Sequence, residues 1–110
     1  MPNDPNKALL VIQQQLKELD AIYLDTMEGS LNTVSGTERV AKWRVRTIAL
    51  LTESAGEKAA QEFARLQPGM VFTNDLVEEF TDLVDCFRVP LKALGQQIAQ
   101  TAQRPPGGGT

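Results

Sequence analysis

The sequence predicts an all-α protein, an elongated four-helix bundle with a short third helix and a last helix kinked at Pro90. Apolar residues recur at spacings of three and four along the long segments, and Gly- or Pro-containing breaks separate those segments. The composition, 42% hydrophobic and 23% charged, is that of an ordinary globular domain. We therefore assign residues 1–103 to a single helical-bundle domain and residues 104–110 to a flexible Pro/Gly tail.

The first helix is predicted to begin at Asp4 and Pro5 and to run to about Met27. An aspartate can cap free backbone N–H groups, and proline is tolerated in the first turn because its nitrogen loses no bond there. Five apolar residues then follow a 3-4-3-4 spacing: Leu9, Ile12, Leu16, Leu19 and Tyr23. Val11 and Ile22 lie outside this seam, so we expect the helix to touch neighbours on two sides.

The second helix follows a Gly/Ser/Asn/Thr-rich loop and is predicted to be capped by Ser35 or Thr37. It runs to about Ala55, where Gly56 supplies a left-handed stop. A short third helix over residues 57–66 is ended by a Gln-Pro-Gly sequence.

The last long helix is predicted to open at Thr73 or Asn74, with Asp75 in its first turn, and to run to about Ala102. One arc of its helical wheel is apolar: Leu76, Phe80, Leu83, Val84, Phe87, Leu91, Leu94 and Ile98. That arc stays in register across Pro90, which favours one kinked helix over two. Helices of roughly 35 and 42 Å exceed the diameter of about 34 Å expected for a compact globule of this length. The bundle must be elongated, which favours pairing between copies.

Composition excludes several function classes. The net charge of −3 disfavours nucleic acid and anionic membranes as partners. The chain has one cysteine, Cys86, and no histidine, which removes internal disulfides, Cys/His zinc sites and nucleophile–histidine catalysis. The longest apolar run, residues 8–12, is too short to span a bilayer. We expect a cytoplasmic protein without a cofactor.

The sequence ERVAKWRVR, residues 38–46, contains four of the eleven basic residues and the single tryptophan. Arg44 falls within the apolar arc of the second helix, so its guanidinium needs a partner if it is buried. Asp20 on the first helix is the predicted partner in a structural ion pair, and Glu79 is the second candidate. The alternative is that Arg44 extends to the rim of the core and reaches solvent.

Two charged stripes of matching pitch are the candidate partner-binding surfaces. The basic stripe lies on the second helix: Arg39, Lys42 and Arg46. The acidic stripe lies on the last helix: Asp75, Glu78, Asp82 and Asp85. The pattern leaves open whether they meet within one subunit, meet between two subunits or stay solvated. Trp43 lies between the polar and apolar arcs, so it is either a residue at the core rim or a further partner contact.

The sequence EEFTDLVD, residues 78–85, resembles the E-E-x-x-E helix of the all-alpha nucleotide pyrophosphohydrolases. In that family, carboxylates one turn apart hold magnesium against a triphosphate. The resemblance implies a metal-dependent hydrolase that uses the carboxylates of residues 78–85. Asp82 replaces the family's last glutamate, and the chain lacks the E-x-x-D pair that the family carries on a neighbouring helix.

The run W-x-x-R-T at residues 43–47, followed by Gly56, Ala60 and Phe63, resembles a short helical segment of small domains that accompany bacterial defence effectors. This resemblance covers residues 43–63 and implies an adaptor or recruitment module. We therefore predict a non-enzymatic helical module for protein–protein interaction or assembly that self-associates, with metal-dependent nucleotide hydrolysis as the alternative.

Overall fold

The computed structural model describes residues 4–29, 31–69 and 75–103, and these residues form four α-helices. Helix α1 spans Pro5–Glu28, α2 spans Thr33–Ser54, α3 spans Glu57–Ala64 and α4 spans Leu76–Gln103. The predicted all-α fold with a short third helix is confirmed, and the described ranges contain no strand. The predicted caps at residues 73 and 74 and the predicted tail at residues 104–110 lie outside the described residues.

Aspartate side chains begin α1 and α4. The Asp4 carboxylate accepts a hydrogen bond from the backbone N–H of Asn6 at 2.9 Å, and Pro5 occupies the first turn, as predicted. At α4 the Asp75 carboxylate accepts from the backbone N–H of Val77 at 2.9 Å. Asp75 therefore precedes the helix and caps it, because its carboxylate satisfies an N–H group that has no partner within the helix.

Helix α2 begins earlier than the sequence indicates. The side-chain oxygen of Asn32 accepts from the backbone N–H of Ser35 at 3.1 Å, so Asn32 is the cap and the prediction of Ser35 or Thr37 is wrong. At the other end, Gly56 has φ of 102°, which confirms the predicted left-handed stop between α2 and α3.

The bundle is long and narrow, as predicted. Its principal extents are 53 × 23 × 21 Å, and its radius of gyration of 15.7 Å exceeds the value of about 13 Å typical of this chain length. Helix α4 is continuous across Pro90, which confirms one helix rather than two, and the bend there stays a prediction. The long helices thus present extended side surfaces on both sides of a thin core.

The core lies where α1 packs against both α2 and α4, with α3 folded back on α2. Three rings form its centre: Trp43, Phe63 and Phe87 lie with centroids 5.9–6.2 Å apart. Val11 and Ile22 are both buried, so α1 does contact neighbours on two sides and neither residue is available for pairing between copies. Other buried core residues are Ile12, Leu19, Val40, Leu51, Ala60, Phe80, Val84 and Leu91.

A glycine permits a close approach of three helices. A Cβ atom built on Gly36 of α2 would lie 2.7 Å from the hydroxyl of Thr26 and 2.9 Å from the ring of Phe80. The Thr26 hydroxyl donates to the Ile22 carbonyl at 2.8 Å, and the Phe80 ring stacks on Tyr23 with centroids 5.9 Å apart. Both neighbours are therefore held in place, and Gly36 fits because it lacks a side chain.

A buried polar bridge joins α1 to α2 beside this core. The side-chain amide of Gln15 donates to the Thr47 hydroxyl at 2.8 Å, and that hydroxyl donates to the Trp43 carbonyl at 2.8 Å. Gln15 is 4% exposed and Thr47 is fully buried, so the bridge satisfies polar groups that water cannot reach.

Candidate protein-interaction surface

Trp43 belongs to the core. Its side chain is fully buried, its indole N–H donates to the Gln15 carbonyl at 2.9 Å, and its ring packs edge-on against Phe63. The prediction of Trp43 as a partner contact is therefore wrong. The alternative placed Trp43 at the rim of the core, and the structure places it inside the core. The reason is that α1 covers the flank of α2 that the helical wheel presents as a boundary.

Arg44 binds carbonyl groups and not a carboxylate. Its Nη2 atom donates to the Ala64 carbonyl at 2.6 Å and to the Leu66 carbonyl at 2.8 Å. Its guanidinium carbon lies 5.1 Å from the Phe87 ring centroid, a cation–π distance. The predicted ion pair with Asp20 is wrong, and the second candidate, Glu79, is an exposed residue that does not meet it either.

The end of α3 explains why a cation is needed there. In a continuing helix the Ala64 carbonyl would accept from the backbone N–H of residue 68, but that residue is Pro68 and has no N–H. Arg44 supplies the missing donor and places a positive charge at the helix C-terminus, where the helix dipole favours it. The sequence does contain a signal for this contact: an arginine on α2, and a proline four residues after the end of α3. The helical wheel of α2 alone does not reveal it.

The basic stripe is joined to α1. Arg39 forms an ion pair with Asp25 at 2.5 Å, and Arg46 forms one with Glu18. Lys42 is exposed, and no ion pair involves it among the described residues. Two of the three basic charges are thus neutralised within the chain by acids that the sequence analysis had not matched to them, and the stripe does not face α4.

The acidic residues of α4 do not act as one stripe. Asp75 caps the helix, and Asp85 pairs with Arg88 at 3.1 Å. Arg88 also pairs with Asp20 at 2.8 Å and lies with its guanidinium carbon 5.6 Å from the Tyr23 ring centroid. Sequence reasoning missed Arg88, although its position three residues after Asp85 is a typical spacing for a helical ion pair. Glu78 and Asp82 are exposed.

The described residues contain no group of three or more His, Cys, Asp or Glu side chains placed to hold a metal ion. Glu78, Glu79 and Asp82, which carry the resemblance to the pyrophosphohydrolase helix, therefore do not converge on one point. Burial raises the pKa of the Cys86 thiol above its ordinary value, and the nearby Arg44 opposes that rise in part. Across the same ranges, every helix is too short or too polar to cross a membrane.

The solvent-facing side of α2 is apolar, a feature that the sequence analysis did not identify. Val34 is 70% exposed, Val45 is 69% exposed and Ala41 between them is also exposed. These three residues, which we call the α2 stripe, lie on the side of the helix opposite the buried Trp43. A surface helix ordinarily carries polar residues there. Spacings of seven and four residues could have revealed the stripe, had the covered side of α2 been known.

Open depressions flank the α2 stripe on the side of α4. One, of about 510 Å³, is lined by apolar residues that include Val34 and Leu76 and by three acids: Glu38, Glu79 and Asp82. The other, of about 380 Å³, lies along Ala41, Val45 and Ile48. The stripe therefore continues into concave apolar surface, and is not a row of isolated valines on a flat, charged face.

A second groove lies at the opposite end of the bundle. It has a volume of about 480 Å³ and runs between the start of α1, the turn between α2 and α3, and the end of α4. Leu94 and Ile98 contribute its apolar wall, and Lys58 and Glu62 of α3 line its edge. This groove is the competing surface for a partner, and its two opposite charges provide a matched control for experiments on α2.

No family model, no curated protein and no solved structure matches this chain. The resemblance of residues 43–63 to domains that accompany bacterial defence effectors stays a prediction. The residues that carry it have structural roles here, since Trp43 and Phe63 pack in the core and Gly56 makes the turn between α2 and α3.

Proposed function

We propose that this chain is a non-enzymatic helical module for protein–protein interaction and assembly, and that it self-associates. The observation that carries the proposal is the α2 stripe. Val34 and Val45 expose about seven tenths of their surface on the side of the helix where a free-standing bundle carries polar residues. Val34 lines one of the flanking depressions and Ala41 and Val45 line the other, and exposed apolar surface that borders a groove typically marks an interaction site.

Self-association is favoured over a different partner because the stripe belongs to a long, thin bundle. Helix α2 has 22 residues and so runs about 33 Å. A second copy offers a surface of the same length and the same apolar character. A closed two-fold dimer, the commonest assembly of identical chains, brings one patch against itself.

The non-enzymatic part of the proposal rests on the chemistry of the available side chains. The chain has no histidine, and burial raises the pKa of its single thiol. Asp75 caps a helix and Asp85 is held in an ion pair, so two of the carboxylates near the hydrolase-like helix already have structural partners. These roles support an interaction module and favour no catalytic mechanism.

The proposal is tested by sedimentation velocity over a wide range of protein concentration. We expect a reversible dimer for the wild type. Val45→Glu would bury an unpaired carboxylate and should weaken the dimer about tenfold or more. Val89→Glu is the matched control, because Val89 is a similarly exposed valine, 62% exposed, on α4 outside the stripe. A strict monomer at every concentration, or equal weakening by Val89→Glu, would overturn the proposal.

A separate measurement addresses the hydrolase alternative. Thermal melting is compared with and without magnesium and a nucleoside triphosphate, for the wild type and for Glu79→Gln. We expect the additives to leave the midpoint unchanged in both chains. A rise in the midpoint of the wild type that Glu79→Gln abolishes would show a metal–nucleotide site and contradict the non-enzymatic part of the proposal.

A further inference from the structure

We infer that two copies pair through the α2 stripe as an antiparallel, two-fold-related helix pair, with Val34 of each copy against Val45 of the other and Glu38 beside Lys42. This inference rests on the proposed function and adds the surface, the direction and the register of the pairing.

The two valines set the register. They are eleven residues apart, which places them about 16 Å apart along the helix and only about 20° apart around it. A two-fold axis midway between them, level with residues 39 and 40, brings Val34 of one copy onto Val45 of the other and repeats the contact symmetrically. Ala41 then lies near the axis, where its small side chain allows the helices to approach closely.

The charges beside the stripe are self-complementary in this arrangement. On the helical wheel, Glu38 and Lys42 lie one helical turn apart and on the same side of the stripe, about 40° and 80° from its centre. In an antiparallel two-fold pair, residues on one flank of a helix meet the same flank of its partner. Glu38 of each copy therefore lies beside Lys42 of the other, which gives two ion pairs at the rim.

Both charges are available for such pairs. Glu38 and Lys42 are exposed, and the ion pairs among the described residues involve neither of them. Their basic neighbours Arg39 and Arg46 are already paired with acids of α1. A pairing centred on Ala41 would instead place Val34 level with Ile48 of the other copy and Val45 level with Thr37, so the two valines would not meet.

Charge reversal tests the inference by sedimentation. Glu38→Lys should bring Lys against Lys at two places and weaken the dimer about fivefold or more, and Lys42→Glu should do the same with Glu against Glu. The double variant Glu38→Lys/Lys42→Glu restores opposite charges and should recover most of the lost affinity. Thermal melting of each variant shows whether the fold is retained.

Lys58→Glu and Glu62→Lys are the matched controls, because these exposed residues have the same four-residue spacing but line the second groove. They should leave dimer affinity unchanged. If they weaken the dimer and the α2 reversals do not, the interface lies at the second groove and the inference is overturned.

Cross-linking tests the direction independently. In a Cys86→Ser background, a mixture of Val34→Cys chains and Val45→Cys chains should form a covalent dimer on mild oxidation with diamide. Each variant alone should not, because its two thiols would lie about 16 Å apart along the helices. Efficient linking of either variant to itself would show a parallel pair and overturn the inference.

The two proposals fail differently. A wild-type chain that stays monomeric removes both. Suppose that Val45→Glu weakens the dimer, but the double charge reversal does not recover the affinity that the single reversals lose. Self-association through the stripe then stands, and the proposed register is wrong.

Discussion

Replacement of Arg44 by methionine should destabilise the fold by about 2–3 kcal/mol. The guanidinium donates hydrogen bonds of 2.6 Å to the Ala64 carbonyl at the end of α3 and of 2.8 Å to the Leu66 carbonyl just beyond it, and bonds to charged groups contribute about 1.5–3 kcal/mol each. The side chain is only partly buried, so solvent reduces the sum. Methionine keeps the packing against Phe87 but leaves the Ala64 carbonyl without a donor, because Pro68 cannot supply one. A loss of this size corresponds to a fall of about 10 °C in the melting temperature.

The assay is urea unfolding followed by fluorescence of the single, buried Trp43, at a protein concentration where the chain is monomeric. Arg39→Met and Arg46→Met are matched controls on the same helix. Each removes an arginine whose ion pair is exposed, and exposed pairs contribute about 0.2–1 kcal/mol. If Arg44→Met unfolds within about 0.5 kcal/mol of the wild type, the carbonyl bonds contribute little net stability and the reasoning fails.

Gly36→Ala should destabilise the protein. The new Cβ would lie within 3 Å of two fixed groups, and the cost of that clash exceeds the gain of about 1 kcal/mol in helix propensity. Gly95→Ala, whose Cβ would meet only a methyl group at 3.2 Å, is the comparison in thermal melting, and equal melting of the two variants would refute the argument. Thr47→Val should lower the free energy of unfolding by about 1–3 kcal/mol, because the buried amide of Gln15 loses its hydrogen-bond partner. Adding Gln15→Met should recover part of that loss. A double-mutant cycle that shows no coupling between the two residues would contradict this argument. The raised pKa of Cys86 means that the folded state favours the neutral thiol. The stability difference between wild type and Cys86→Ala should therefore be constant below the thiol's ordinary pKa of 9.0 and fall as pH rises above it, whereas a difference that grows with pH would show the opposite shift.

Much of the fold could be predicted because the boundaries and the apolar faces of helices depend on residues that are close together in the sequence. Asp4 and Pro5 begin α1, and Gly56 ends α2 with a positive φ, since these signals act through backbone groups within a few residues. The apolar arc across Pro90 correctly indicated one continuous helix. Asn32 shows the limit of such signals, because several residues in one loop can cap a helix and local sequence does not choose among them.

The candidate site could not be predicted in the same way, because it depends on which flanks of each helix other helices cover. The periodicity of α2 placed Trp43 at a boundary, but α1 packs over that boundary and buries it. Arg44 was correctly expected to need a partner, yet its partners are carbonyls that α3 presents by folding back on α2.

By itself the sequence determined four elements, their approximate ends and an elongated shape, since backbone capping, helical period and length are local properties of the chain. Only the tertiary structure decided how the charges are used and which apolar residues stay exposed. Arg39 and Arg46 meet acids of α1, and Val34 and Val45 remain in solvent as the α2 stripe. The physical reason is that burial and ion pairing join residues distant in sequence, and their positions follow from how the helices pack.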